Sequence, residues 1–309
     1  MPKPFQFDIQ VESRRISLRS YAKINIGLHI LGRREDGYHE IRTIFQTVNL
    51  YDRLEIALIR GQEIEFTSDD RGLDPRHNLV VRAILSLSRL KKLDKGYRVH
   101  LEKRIPVGAG LGGGSSNAAA AIHGIRRLLD LNLSHKELFE IGGSLGSDVP
   151  FFFVGGTALG VGRGAEVYPL EDQPEKYLLL VVPTYAISTV DAYARVTLPL
   201  TKKIKKSIIP VFCPGYLDSL DRWNFVGNDF EKVAFRDFPK LRGIKKNLLE
   251  TGAFAAGLTG SGSALFGLFN SKRELLKARR AIESKQFRVI PTKTLSRKQY
   301  WNCLVESLQ

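Results

Sequence analysis

Residues 106 to 117 read Pro106-Val107-Gly108-Ala109-Gly110-Leu111-Gly112-Gly113-Gly114-Ser115-Ser116-Asn117. Glycines without Cβ let successive backbone amides turn inward together, two serine hydroxyls add donors, and a helix beginning there brings the positive end of its dipole. Such a loop is built to hold phosphates. A flexible linker is the plain alternative, but linkers are rarely followed at once by alanine- and leucine-rich text such as residues 116–129. Phosphoryl transfer also needs a group that takes or steers a hydroxyl proton, and positive or donor groups around the moving phosphoryl. Asp148, between the small-residue turn Gly146-Ser147 and Val149-Pro150, is the candidate base. Lys23 lies in an otherwise apolar strand, where a flexible cation is an odd passenger, and Asn25 shares its face of that strand. A capping Asp, a surface Lys and a strand-edge Asn are the ordinary readings of these three residues.

Two rival fingerprints can be weighed on the same text. Gly108-x-Gly110-x-x-Gly113 matches the dinucleotide-binding pattern, and Asp130 falls near the distance expected of a ribose ligand. Its context is poor, because the preceding strand is charged and ends in Pro106, and Asp130 follows a helix with no second strand to present it. No Gly-x-x-x-x-Gly-Lys-Ser/Thr occurs, which excludes a P-loop NTPase by its own defining residues.

The elements that must position these groups follow from periodicity. Residues 16–30 are strand-like, 52–59 alternate, and 78–93 place Leu79, Val80, Ala83, Ile84, Leu87 and Leu90 on one helical face. Residues 97–103 alternate again, so the glycines join a strand to a helix. A helix is expected over 135–145, a short buried strand over 151–154, a tight turn at 160–164 and a fully buried strand over 177–182. The second half reads as helices at 224–234 and 240–250, a strand-loop-strand across 254–269, a helix at 272–283 and a strand near 287–292. Charge and Pro174 interrupt the pattern at 171–175, which places a domain boundary there.

Composition narrows the function classes. The chain has 309 residues, 43% of them hydrophobic and 26% charged, which excludes wholesale disorder and a small disulfide scaffold. The net charge of +15 points to anionic partners, whether nucleic acid, an acidic surface or phosphorylated metabolites. The basic run at 202–206 carries no aromatic residue, so a nucleic-acid-binding protein ranks behind a small-molecule enzyme. Cys213 and Cys303 are the only cysteines and sit in no metal-ligand pattern; the amino terminus carries no apolar secretory stretch. A cytoplasmic location is the expectation. The uncharged stretches 105–122 and 251–270 are too rich in glycine and hydroxyl residues to read as membrane spans, and no membrane partner is expected.

Three separated segments together resemble the GHMP kinase superfamily: Ala22-Lys23-Ile24-Asn25-Ile26-Gly27-Leu28, the glycine-rich loop, and Leu258-Thr259-Gly260-Ser261-Gly262-Ser263-Ala264. Within it, Gly32-Arg33-Arg34-Glu35-Asp36-Gly37-Tyr38-His39-Glu40 and Gly146-Ser147-Asp148-Val149-Pro150-Phe151-Phe152 resemble the branch that phosphorylates a cytidine-diphosphate ester of methylerythritol on its 2-hydroxyl, in non-mevalonate isoprenoid synthesis. The resemblance implies an α/β, more narrowly α+β, fold of two domains. Residues 1–172 would form a ribosomal-protein-S5-like amino half and 173–309 a ferredoxin-like carboxyl half. It implies ATP, with Mg²⁺, on the loop from Pro106 to Ser116, and Lys23, Asp148 and Asn25 at the reacting groups. Two roles are open to Lys23: easing proton loss by proximity, or stabilising the transferred charge directly. It also implies a cytidine diphosphate substrate held by Tyr38 and His39, with Thr189 and Tyr193 on the opposite wall and Gly260 and Gly262 nearby. Another GHMP enzyme of homoserine or mevalonate type is the nearest alternative, and Asp36-Gly37-Tyr38-His39 argues against it.

Overall fold

Two long strands, β1 (Arg15–Arg33) and β2 (His39–Ile59), pair antiparallel along their whole length and form the spine of a computed structural model that describes residues 15–184, 227–282 and 286–306. Their connection is an Asp36-Gly37 turn: Gly37 takes φ +83°, the Asp36 carboxylate accepts from the Tyr38 amide at 3.1 Å, and the Arg34 amide donates to the Tyr38 carbonyl at 2.8 Å. Glycine supplies the left-handed residue this reversal needs. Along β1 the buried side chains enter three packed regions in turn. Ile16 and Leu18 join the core under the amino-terminal helices, Ala22, Ile24 and Ile26 the layer between the two sheets, and Leu28 and Ile30 the carboxyl-terminal core.

The first sheet runs β11-β1-β2-β4-β3, with β5 (Thr157–Val161) on the other half of β2 and β6 (Glu166–Pro169) beyond it; β3 is Ile64–Ser68, β4 Gly96–Glu102 and β11 Val305–Glu306. Helices α1 (Leu79–Lys91), α2 (Gly113–Leu128) and α3 (His135–Leu145) cover it. Side chains start two of them: the Asn78 carboxamide accepts from the Val80 amide at 2.8 Å, and Ser134 with Glu137 forms a capping box. The alanines at 118–121 are buried, and a Cβ on Gly124 would stand 2.8 Å from Leu18 Cδ1, so α2 lies close on the sheet because its facing residues are small.

The second sheet has the order β10-β7-β9-β8, with β7 Tyr177–Pro183, β8 Ala255–Leu258, β9 Leu265–Phe269 and β10 Phe287–Lys293. That is fourth-first-third-second in chain order, the ferredoxin-like arrangement. Strand β7 is buried on both faces. Leu178, Leu180 and Val182 pack in the layer between the sheets, while Leu179 and Val181 pack under α4 (Phe230–Asp237), α5 (Pro239–Glu250) and α6 (Lys272–Ile282), which explains its unbroken apolar text.

Three expectations are corrected or extended. Residues 151–154 form no strand: Val149–Phe153 is a 3-10 helix with Pro150 in its first turn. Proline has no N–H for a ladder, and a short apolar run does not reveal its period. Helix α2 starts at Gly113 rather than at Ser116. The chain also returns to the first sheet after β10, through α7 (Arg297–Cys303) and β11, where Val305 pairs with Leu18 and the Tyr300 hydroxyl donates to the Phe152 carbonyl at 2.7 Å. Part of the helix expected over 224–234 lies outside the described residues. Among the described residues no helix is long and apolar enough to cross a membrane.

His123, on α2, faces the rings of Phe153 and Trp301 at 5.5 and 4.9 Å. Burial, and then the charges of Arg126 and Arg127, push its imidazole down to about 4 from the ordinary 6.5. Between those values the unfolded chain binds a proton the folded chain refuses, so stability is lost as pH falls from about 6.5 towards about 4, by about 3 kcal/mol in all. Urea unfolding of His123→Phe is expected to show that part of the acid dependence removed.

Candidate active site

The side chain of Lys23 is held from two sides. Its Nζ lies 3.2 Å from Asp148 Oδ2, donates to Asn25 Oδ1 at 2.6 Å and stands 5.5 Å from the centroid of the Phe45 ring. The residue is 2% exposed, whereas the Asp148 side chain is 34% exposed, so the amine sits behind and the acid opens to solvent. The Asn25 amide has one orientation available to it, because Nδ2 donates to Thr43 Oγ1 at 2.7 Å and Thr43 Oγ1 in turn donates to the Gly27 carbonyl at 2.6 Å. A β-bulge between Asn25 and Gly27 interrupts the register there. Such irregularities re-aim side chains beside a site.

In front of this cluster lies a cleft of about 1340 Å³, lined by Lys23, Asn25, Tyr38, His39, Asp148, Gly260 and Ser261, and by the loop from Pro106 to Ser115. The two glycine segments meet backbone to backbone. Gly110 takes φ +78°, and a Cβ on it would stand 2.3 Å from the Thr259 carbonyl oxygen; one on Gly260 would stand 3.0 Å from the Gly110 carbonyl oxygen. Thr259 Oγ1 accepts from the Asn25 amide at 3.0 Å and donates to the Gly110 carbonyl at 3.3 Å, joining β1, the loop and the carboxyl-terminal sheet through one hydroxyl. Gly112 caps α2 in the left-handed region at φ +70°, and any side chain there would press on Lys23 and Phe152 at 3.0 Å. Helix α2 thus points its amino-terminal amides into the cleft.

The strand end that delivers the loop is fixed by Asp52, which sequence reasoning did not single out. Its fully buried carboxylate accepts from the amides of Arg104 and Ile105, both at 2.7 Å, and pairs with Lys103 Nζ at 2.5 Å. Ser20 Oγ donates to Asn117 Oδ1 at 2.6 Å and ties the first turns of α2 to β1. Lys103, Asn117 and Arg163 line the cleft and were also missed. Alternation marks 97–103 as a strand, but nothing in that text marks the facing carboxylate 51 residues away.

The hairpin carries Tyr38 and His39 into the same cleft. Tyr38 is 52% exposed, and burial together with the nearby Arg33 charge lowers the His39 imidazole from its ordinary value. Ser116 is buried within α2, its Oγ without a hydrogen-bond partner among the described residues, and Gly262 stands behind the loop, its carbonyl oxygen 3.2 Å from where a Gly110 Cβ would be; neither lines the cleft. Thr189 and Tyr193 lie outside the described residues. Asp130 comes after the far end of α2, a helix of 16 residues and so about 24 Å long, which leaves it no part in the glycine loop.

A glycine cradle at a helix amino terminus, sharing one cleft with a paired amine and acid, is the equipment of a small-molecule kinase. Residues 78–156 match the family model of the GHMP kinases N terminal domain and residues 214–289 that of the GHMP kinases C terminal. A protein of Solibacter usitatus (strain Ellin6076), named 4-diphosphocytidyl-2-C-methyl-D-erythritol kinase, is 41% identical over 293 residues, 93% of this chain and 91% of the relative. One of the same name from Thermodesulfovibrio yellowstonii is 40% identical over 282 residues, 90% of this chain and 98% of that protein. The crystal structure of a 4-(cytidine 5'-diphospho)-2C-methyl-D-erythritol kinase superposes with a TM-score of 0.75 at 32% identity, covering 90% of this chain and 99% of its own. A homoserine kinase from Cytophaga hutchinsonii, at 19% identity and a TM-score of 0.71, shares the fold. The chain belongs to the 4-diphosphocytidyl-2-C-methyl-D-erythritol kinase family within the GHMP kinases.

Gly110→Ala is expected to lower stability by about 2 kcal/mol or more, since the methyl meets backbone and the φ is strained. Gly114→Ala, within α2 and 3.5 Å from its nearest neighbour, is expected to be neutral or stabilising by up to about 1 kcal/mol. Denaturant midpoints of the two variants check the contrast.

Proposed function

We propose that this chain transfers the γ-phosphoryl group of ATP to the 2-hydroxyl of 4-diphosphocytidyl-2-C-methyl-D-erythritol, a step of the non-mevalonate route to isoprenoids. The observation that carries the reading is the Lys23-Asp148-Asn25 cluster, set in one cleft with the glycine loop and the Tyr38-His39 hairpin. Backbone amides of the loop from Val107 to Ser115, following Pro106, hold the triphosphate, and the α2 dipole favours its charge. The acceptor hydroxyl sits against Asp148, the member of the cluster that reaches the cleft. Its oxygen bonds to the γ-phosphorus, the bond from phosphorus to the bridging oxygen of ADP breaks, and the hydroxyl proton passes to the Asp148 carboxylate. Lys23, itself held by Asn25, fixes that carboxylate in place, and its ammonium adds positive charge where negative charge moves.

Among the described residues no three His, Cys, Asp or Glu side chains converge as a metal-ligand set. In this reading Mg²⁺ would enter with ATP as part of the substrate, where it would offset phosphate charge, and the Ser115 hydroxyl is the loop group that would help to hold it. Tyr38 stacks on the pyrimidine and His39 contacts the base edge, with Thr189 and Tyr193 assigned to the opposite wall by the family pattern. Gly260 borders the acceptor, and Gly262 and Ser116 support the two loops from behind. Both substrates are water-soluble polyanions, which suits the net charge of +15 and a cytoplasmic location.

ADP release on mixing with ATP, Mg²⁺ and the cytidylated methylerythritol, compared with mevalonate and homoserine, tests the assignment; activity on either comparison substrate alone would refute it. Asp148→Asn and Lys23→Ala are each expected to lower single-turnover phosphoryl transfer by about 10²-fold or more while ATP binding persists. Because burial and the Arg33 charge lower the His39 imidazole from its ordinary 6.5, the rise in KM for the cytidylated substrate that its protonation brings should come on the acid side of that value. In His39→Gln that acid rise should vanish from the pH profile of KM.

A further inference from the structure

The mechanism above makes no use of Arg163, which lines the same cleft. It stands in the turn between β5 and β6, flanked by Gly162 (φ +66°) and Gly164 (φ +94°), and the Gly162 carbonyl accepts from the Ile41 amide at 2.7 Å, two residues beyond His39. From there the guanidinium reaches in two directions. Its Nη2 donates to the Gly143 carbonyl at 2.7 Å, and its Cζ lies 5.4 Å from the centroid of the Tyr38 ring. Gly143 is in the last turn of α3, where carbonyls lack partners within the helix and a cation is favoured. A guanidinium can do both at once, because its plane can face an aromatic ring while one edge keeps a hydrogen bond; an ammonium has no such plane. Tyr38 is 52% exposed, and a ring that open must lose rotamer freedom before it can serve as a stacking platform.

We propose that Arg163 is a positioning residue for base recognition: anchored to the end of α3, it holds one face of Tyr38 and so pre-orients the ring whose other face receives the pyrimidine of a cytidine diphosphate substrate. Helix α3 runs on into Gly146-Ser147-Asp148, so the same guanidinium ties the base wall to the element that carries the acid. The proposal rests on reading Tyr38 as that wall.

Steady-state kinetics on the full chain, with the cytidylated methylerythritol and ATP each varied, test it through Arg163→Ala, Arg163→Gln, Tyr38→Leu and the Arg163→Gln/Tyr38→Leu double variant. Glutamine keeps an N–H for the Gly143 carbonyl but removes the charge over the ring, so it remains informative if alanine fails to fold. The expected result is a rise of about three- to fivefold in KM for the cytidylated substrate in either Arg163 variant, with kcat and KM for ATP within about twofold of wild type. Arg163→Gln should add less than about twofold once Tyr38 is leucine, since its effect passes through the ring. Wild-type KM in Arg163→Gln beside a raised KM in Tyr38→Leu would overturn the proposal and leave the base wall standing. An equal Arg163→Gln effect with and without Tyr38, or a fall in kcat together with weaker ATP binding, would also overturn it. Unchanged KM in Tyr38→Leu itself would remove the base-wall reading and this inference together.

Discussion

An ammonium group stripped of water costs several kcal/mol unless charge and hydrogen bonds replace what it loses. Lys23 is in that position on β1, and its compensation comes from Asp148, at the end of α3, and from Asn25 on its own strand. Meeting this one requirement sets much of the surrounding structure. The turn after α3 must lie against β1, Gly112 must have no side chain so that the lysine stem can pass, and the Asn25 amide must be pinned by Thr43 so that its oxygen, and not its nitrogen, faces the cation. The result is a carboxylate with one fixed neighbour behind it and open space in front.

The glycine-loop end of the cleft depends on a different constraint, close approach of backbone to backbone. Gly110 and Gly260 touch across a gap that no Cβ could enter, and the Thr259 hydroxyl links both to the strand that carries Lys23. The loop is therefore braced by the carboxyl-terminal sheet on one side and by the buried Asp52 carboxylate on the other. A phosphate cradle works when its amides are held in place before the ligand arrives, because little ordering is then left to be done on binding. The apolar layer between the sheets, built from Ile24, Ile26, Leu180 and Phe266 among others, keeps those two supports at a fixed distance.

Membership in the GHMP kinases and the local geometry bear on different parts of the reading. Identity of 41% to one relative of that name extends over 93% of the chain, while a homoserine kinase, at 19% identity, shares the fold. In this chain the Asp36-Gly37 reversal lies at the tip of the hairpin of β1 and β2, where the turn chemistry that closes the hairpin also presents Tyr38 and His39 to the cleft.

The sequence by itself determined the elements whose cause is local. The apolar period of α1, the glycines before α2, the unbroken run of β7 and the order of strands and helices from Lys240 to Thr292 could all be read directly, as could the motifs holding Lys23, Asn25, Tyr38, His39 and Asp148. Residues 151–154 were misread because a short apolar run fits either period, and the packing of Phe151 and Phe152 into the amino-terminal core decided it. Only the tertiary structure brought Asp52 to Lys103, Thr259 to Asn25, Arg163 to Tyr38 and the segment from Arg297 back onto β1. Periodicity and turn chemistry act over a few residues and leave their mark in adjacent text. A carboxylate that meets its lysine 51 residues away, or a hydroxyl that meets an amide 234 away, leaves no such mark, because its partner is chosen by how whole sheets stack.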